Sequence, residues 1–174
     1  MRDEGFTLIE LMIVIALIII LSALGIGSYV LSTTRSYDTQ RKNDLNQISK
    51  ALESFNNDVG RYPLSDASGN ILCYQKAAGV VTNPDCAGNK LLIRIDDIIT
   101  NYITVPVDPN ATNKYIYESD GSSFSLYTVI QNSSDKDLLL DVNNNVITNP
   151  YNKSCGAESC NYKITEVGLS KTNE

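Results

Sequence analysis

Glu10 is the one carboxylate in an apolar run, GFTLIELMIVIALIIILSALG (Gly5 to Gly25). An acidic side chain at membrane depth costs roughly 2–3 kcal/mol at a helix centre and less toward an end. A residue that costs stability calls for a partner. No Lys or Arg falls between Phe6 and Val30, so that partner must be a chain end or another molecule. Four cysteines, Cys73, Cys86, Cys155 and Cys160, are the next chemical candidates, and all lie outside the apolar run. An even count in an exported domain implies two disulfides, with three possible pairings. Cys73–Cys86 and Cys155–Cys160 are preferred, because each closes a short, polar, Gly-containing loop. Zinc is the competing use of the thiols, but there is no CxxC spacing and no His.

The missing His removes the commonest general base and metal ligand. No G-x-S-x-G, P-loop or Cys–His pair occurs, so no enzyme, cofactor or metal site is expected. Asp135, Asp137, Asp141, Asn143 and Asn145 cluster in SSDKDLLLDVNNN. Asp141-x-Asn143-x-Asn145 has the opening of a calcium loop. Val146 and Asn152 stand where an EF-hand needs Gly and Glu, so a polar turn is favoured. Net charge is −6, which disfavours a nucleic-acid partner. Arg35, Arg41 and Lys42 form a local basic group, read as a solvated helix face. Three glycosylation sequons begin at Asn110, Asn132 and Asn152.

The element carrying Glu10 follows from length. Phe6 to Ile26 is 21 residues with only Thr7, Glu10 and Ser22 polar. As a helix it spans roughly 30 Å, a bilayer core. A run apolar on all sides and this long does not suit a core helix. A cleaved secretory signal needs a basic n-region and a shorter apolar core, and MRDEG sets one Arg against Asp3 and Glu4. A plain anchor fits the length but leaves Glu10 unexplained.

Gly5-Phe6-Thr7-Leu8-Ile9-Glu10-Leu11-Met12-Ile13-Val14-Ile15-Ala16 resembles the N-terminal signature of type IV pilins and pseudopilins. The resemblance implies a leader at 1–5 cut by a prepilin peptidase after Gly5, and N-methylation of Phe6. It implies that Glu10 neutralises the Phe6 amine of a neighbouring subunit. The missing cation is then the amine that proteolysis exposes. Such a pair is strong at low dielectric, and leaving either charge alone is costly. The family places the leader in the cytoplasm. Arg2 is the only basic residue there, so orientation rests on the resemblance and not on charge.

The expected domains are the 1–5 leader, a 6–27 membrane and filament-core helix, and a 28–174 soluble domain. No proline precedes Pro63, and Leu45, Ile48, Leu52 and Phe55 recur at helical spacing. The other face carries Arg41, Lys42, Asp44, Lys50 and Glu53. The helix should run to about Asn57, with Gly60 as a stop, some 80 Å in all. Gly25 and Gly27 weaken it, either for close packing or to let it unwind in a filament.

GRYP (Gly60 to Pro63) opens a connecting region over 58–110, in which 91–103 reads as a short amphipathic helix. A sheet over 111–174 follows from KYIYES (114–119), FSLYTVIQ (124–131), DLLLDV (137–142) and NYKITEV (161–167). Asp120-Gly121 marks a hairpin between the first two. The fold class is α+β: the long helix against three or four antiparallel strands, similar to the pilin fold.

The expected function is a structural subunit of a type IV pilus-like filament serving motility, adhesion or DNA uptake. Its partners would be itself, the prepilin peptidase, and an inner-membrane platform with its motor ATPase. It would start in the cytoplasmic membrane and end in an extracellular filament. The GRYP and YTV features also suit a major pseudopilin of type II secretion or competence. A single-pass membrane-anchored binding protein is the alternative from another class.

Overall fold

The computed structural model describes residues 5–86 and 90–171, and within 23–28 the helical backbone only. The chain divides into two units, Met1–Ser36 and Tyr37–Glu174. Helix α1, Leu8–Val59, contributes to both. Gly25 and Gly27 fall within 23–28, so neither reading of them lies among the described features.

In the second unit, Leu45, Ile48, Leu52 and Phe55 are completely buried. They form the apolar stripe that the spacing predicts. The helix ends where expected, within two residues. Gly60 takes φ +79° and its N–H reaches the Asn56 carbonyl at 2.7 Å. A left-handed residue closes a helix in this way, and glycine adopts it without a Cβ penalty.

The stripe packs against an antiparallel sheet, β5 (Ile116–Ser119), β6 (Phe124–Thr128), β7 (Tyr162–Thr165) and β8 (Gly168–Leu169), in that spatial order. The Asp120-Gly121 hairpin stands as expected. The Asp120 carboxylate accepts the N–H groups of Ser122 and Ser123, and Gly121 takes φ +98°. Rings add to the core: Tyr62 meets Phe124 at 4.9 Å, and Phe55 meets Tyr102 at 5.6 Å. The α+β class and pilin-like arrangement expected from the sequence hold.

Three local expectations are corrected. The 58–110 region holds a second sheet: β1 (Tyr74–Ala77), β2 (Val80–Thr82), β3 (Lys90–Ile95) and β4 (Ile98–Thr104), ordered β2-β1-β3-β4. The expected helix at 91–103 is therefore the β3–β4 hairpin. Its apolar residues match a helical period. Yet Ile93, Ile95, Ile98, Ile99, Thr100 and Ile103 are β-branched, and Asp96 turns the chain at φ +50°. Burial of Leu91 and Ile93 alternates as in a strand. β1 also lies parallel to β3, a long-range pairing no local pattern announces. The DLLLDV strand is replaced by turns with one bridge, Leu140 to Val146. The third correction concerns charge and is given below.

Both preferred disulfides are present, Cys73–Cys86 and Cys155–Cys160, each with Cα atoms 5.1 Å apart. Gly156, inside the smaller loop, takes φ +105°, and a Cβ there would lie 2.3 Å from the Thr112 carbonyl oxygen. Only glycine fits.

Candidate assembly site

Gly5 is exposed, and nothing lies within 4 Å of where its Cβ would be. Phe6 is 81% exposed. From Leu8 to Leu21 the large apolar side chains are exposed on every side of the helix. Such a surface is stable only when covered. Among the described residues no helix is long and apolar enough to cross a membrane. The expected span, 6–27, includes side chains at 23–27 that lie outside the described ones.

Glu10 is held locally. Its Oε2 accepts the Thr7 backbone N–H at 2.9 Å and the Thr7 hydroxyl at 2.6 Å. The Glu10 N–H reaches the Thr7 hydroxyl oxygen at 3.3 Å. With α1 starting at Leu8, Thr7 is the N-cap and Glu10 the third helical residue, which makes a capping box. Thr7 is the residue the sequence reading missed. The signal was in plain view, because T-L-I-E is the S/T-x-x-E pattern just before an apolar run. A carboxylate in the first turn also suits the helix dipole.

The second unit treats its charges in the opposite way. Arg41 and Asp44, assigned above to a solvated helix face, are buried, and Lys42 is half-buried. Arg41 is 0% exposed. Its guanidinium forks onto Asp108 through Nε at 2.9 Å and Nη2 at 3.0 Å, and Nη1 meets Asp38 at 2.9 Å. Asp38 also accepts the N–H groups of Gln131 and Asn132, at 3.0 and 2.8 Å. Asp38 is one helical turn away on α1, but Asp108 and the N–H groups of Gln131 and Asn132 lie far along the chain, so helical periodicity could not show this burial. The arrangement needs Arg, since two carboxylates are bridged by one planar fork.

One residue on, Lys42 Nζ lies 2.7 Å from Asp135 and 2.8 Å from Asp137. Burial opposes the Lys42 charge, but the hydrogen bonds to these acids outweigh it and raise its pKa. The hydrogen bond from Lys42 in turn lowers that of Asp137. Two members of the acidic cluster are thus occupied by a cation of the same chain. Asp141 accepts the N–H groups of Asn143 and Asn145, both at 2.8 Å, which makes the polar turn that the sequence favoured. Among the described residues no group of three or more acidic or thiol side chains is placed to hold a metal ion.

Two tyrosines outside the strands tie neighbouring segments to the helix. Tyr115 donates to Asp44 at 2.7 Å, and Tyr62 to Glu53 at 3.0 Å. Burial, then the hydrogen bond to Glu53, pushes the Tyr62 hydroxyl up to about 12.

The chain matches the family model described as "Prokaryotic N-terminal methylation motif" over residues 1–26. It is 43% identical over 61 residues to the type IV major pilin protein PilA of Myxococcus xanthus (strain DK1622). That match covers 35% of this chain and spans 28% of the length of the relative. No solved structure matches. The chain is thus similar to the methylation-motif family over residues 1–26 and to a type IV major pilin over about a third of its length.

Proposed function

We propose that this chain is a subunit of a type IV pilus-like filament. It is cut after Gly5, methylated at Phe6, and polymerised through its N-terminal helix with Glu10 as the docking charge. The observation that carries the reading is the methylation motif at 1–26, which contains this carboxylate on a helix whose exposed side chains are otherwise apolar from Leu8 to Leu21. The uncrowded Gly5 and the exposed Phe6 suit access by a peptidase and a methyltransferase. Before assembly the 6–27 helix sits in the cytoplasmic membrane. Afterwards neighbouring helices cover the same apolar surface. The partners are further copies, the prepilin peptidase, and an assembly platform with its motor ATPase.

Both Thr7 donors meet a single oxygen of Glu10, Oε2. The carboxylate therefore has two roles to separate, cap and charge. Gln at the third helical position preserves a capping box but carries no charge. Glu10→Gln should leave membrane insertion intact and abolish fibres in a sheared surface fraction, as Glu10→Ala should. Normal fibres from Glu10→Gln would sink the docking-charge reading.

A further inference from the structure

A cleft of about 390 Å³ enters the second unit, lined by residues of α1 and of both sheets. Its floor is Ile48 of α1, Leu91 of β3, Tyr117 of β5 and Leu126 of β6, all buried. Small-molecule sites have this size, roughly 300–1,000 Å³, and add a few placed polar groups to apolar walls. Most polar groups of the lining are already spent. The hydroxyls of Tyr115 and Tyr117 donate to Asp44 and to the Pro63 carbonyl, both at 2.7 Å. Asn113 differs. It lines the cleft at 6% exposure. Its amide nitrogen donates to Glu158 at 3.0 Å, which fixes the other end as the oxygen. That oxygen, Oδ1, is buried and meets no donor. Among the described residues Thr128 Oγ1 is the other such atom, and Thr128 does not line the cleft. Buried polar atoms without a partner are rare, and each calls for an explanation.

Polarity and charge together select the occupant. Asp66 spends its carboxylate on the N–H groups of Ser68 and Asn70, and Asp108 is held by Arg41. Lys114 Nζ donates to the Ser68 carbonyl at 3.1 Å. Asp85 and Lys90, opposite in sign, complete the charged lining. These charges offset one another, so the cleft favours neither an anion nor a cation. A water at Asn113 Oδ1 needs further polar partners, and the apolar floor is poor in them. An uncharged molecule with an apolar body and one N–H or O–H meets both demands. Its body covers the floor, and its donor satisfies the orphaned oxygen.

We propose that this cleft binds a small, uncharged, mainly apolar molecule through a single N–H or O–H donated to Asn113 Oδ1. Indole and phenol have that chemistry, and 1-methylindole and anisole are the same bodies without the donor. The site lies within the second unit and does not depend on the filament reading. Val107 lines the cleft yet is 70% exposed, which puts it at the rim. A larger side chain there narrows the entrance and leaves the core packing alone.

The test titrates the full chain, in lipid nanodiscs, with each of the four compounds at measured free concentration. Amide NMR shifts report binding. Indole or phenol should give saturable shifts at Asn113, including its side-chain amide, and none at Leu8 to Leu11. Loss of the donor should weaken binding about tenfold for 1-methylindole against indole and for anisole against phenol. Val107→Trp should abolish the shifts at Asn113 with thermal unfolding unchanged. No saturable shift with either indole or phenol would overturn the proposal and leave water as the partner of Asn113. Equal affinity with and without the donor would overturn the role of Asn113 Oδ1. Full affinity in Val107→Trp would show that the compounds bind elsewhere.

Discussion

The two units handle polarity in opposite ways. In the first, large apolar side chains face outward and the one acid is held by its neighbour Thr7. In the second, a guanidinium and two carboxylates are buried and held by residues up to 94 positions apart. The second unit satisfies its buried charges within one chain. The first leaves its surface for something else to cover. Folding stability should therefore reside in the second unit, and assembly in the first, so substitutions should separate the two properties.

The largest effect on stability is expected at Arg41. Arg41→Ala leaves Asp38 and Asp108 buried beside a cavity and should cost about 3–5 kcal/mol. Chemical denaturation of the second unit would show it, with peptidase cleavage unaffected. A cost under about 1 kcal/mol would mean that the buried fork contributes little.

Gly156→Ala comes next. It forces a Cβ against the Thr112 carbonyl at a positive φ and should cost about 1–3 kcal/mol. An unchanged denaturation midpoint would show that the loop relaxes freely.

Acid should loosen the Lys42 clasp. Lys42 lowers the folded pKa of Asp137 below its ordinary value near 3.8. A depressed carboxylate contributes stability above its unfolded pKa and loses it as pH falls through the folded one. The loss attributable to Asp137 is thus confined to below about pH 4. Lys42, raised above 10.5, keeps its contribution until the pH climbs past that value. Between those limits the clasp should be insensitive to pH. Unfolding curves of Asp137→Asn and the parent should converge in acid, and a constant gap down to pH 2 would refute the assignment.

The smallest effect is expected at Thr7. Thr7→Ala removes the N-cap and should fray the first turn of α1 at a cost of about 1 kcal/mol. Amide exchange at Leu8 to Leu11 should speed up while the second unit is unchanged. Unaltered exchange there would show that Glu10 needs no cap.

Legibility in the sequence followed the same division. Leu45, Ile48, Leu52 and Phe55, the Gly60 stop, the Asp120-Gly121 hairpin and both disulfides were readable, because each depends on residues close in sequence. The β3–β4 hairpin was misread because its isoleucines satisfy a helical period as well as a strand one. Parallel pairing with β1 is a long-range event that no local pattern carries. Reading Arg41 as solvated fails for a related reason: Asp38 is a local helix neighbour, but Asp108, which completes the burial, is 67 residues away and meets Arg41 only in the folded chain. Glu10 was legible as an anomaly. Its cap is equally local, because Thr7 and Glu10 are three residues apart.

The most direct measurement is the intact mass of the chain in sheared surface fibres, with the N-terminal peptide sequenced. A chain beginning at N-methylated Phe6 is the result the account predicts, and it would supply the cation that Glu10 lacks within the sequence. A chain beginning at Met1 and remaining with the membrane would contradict it.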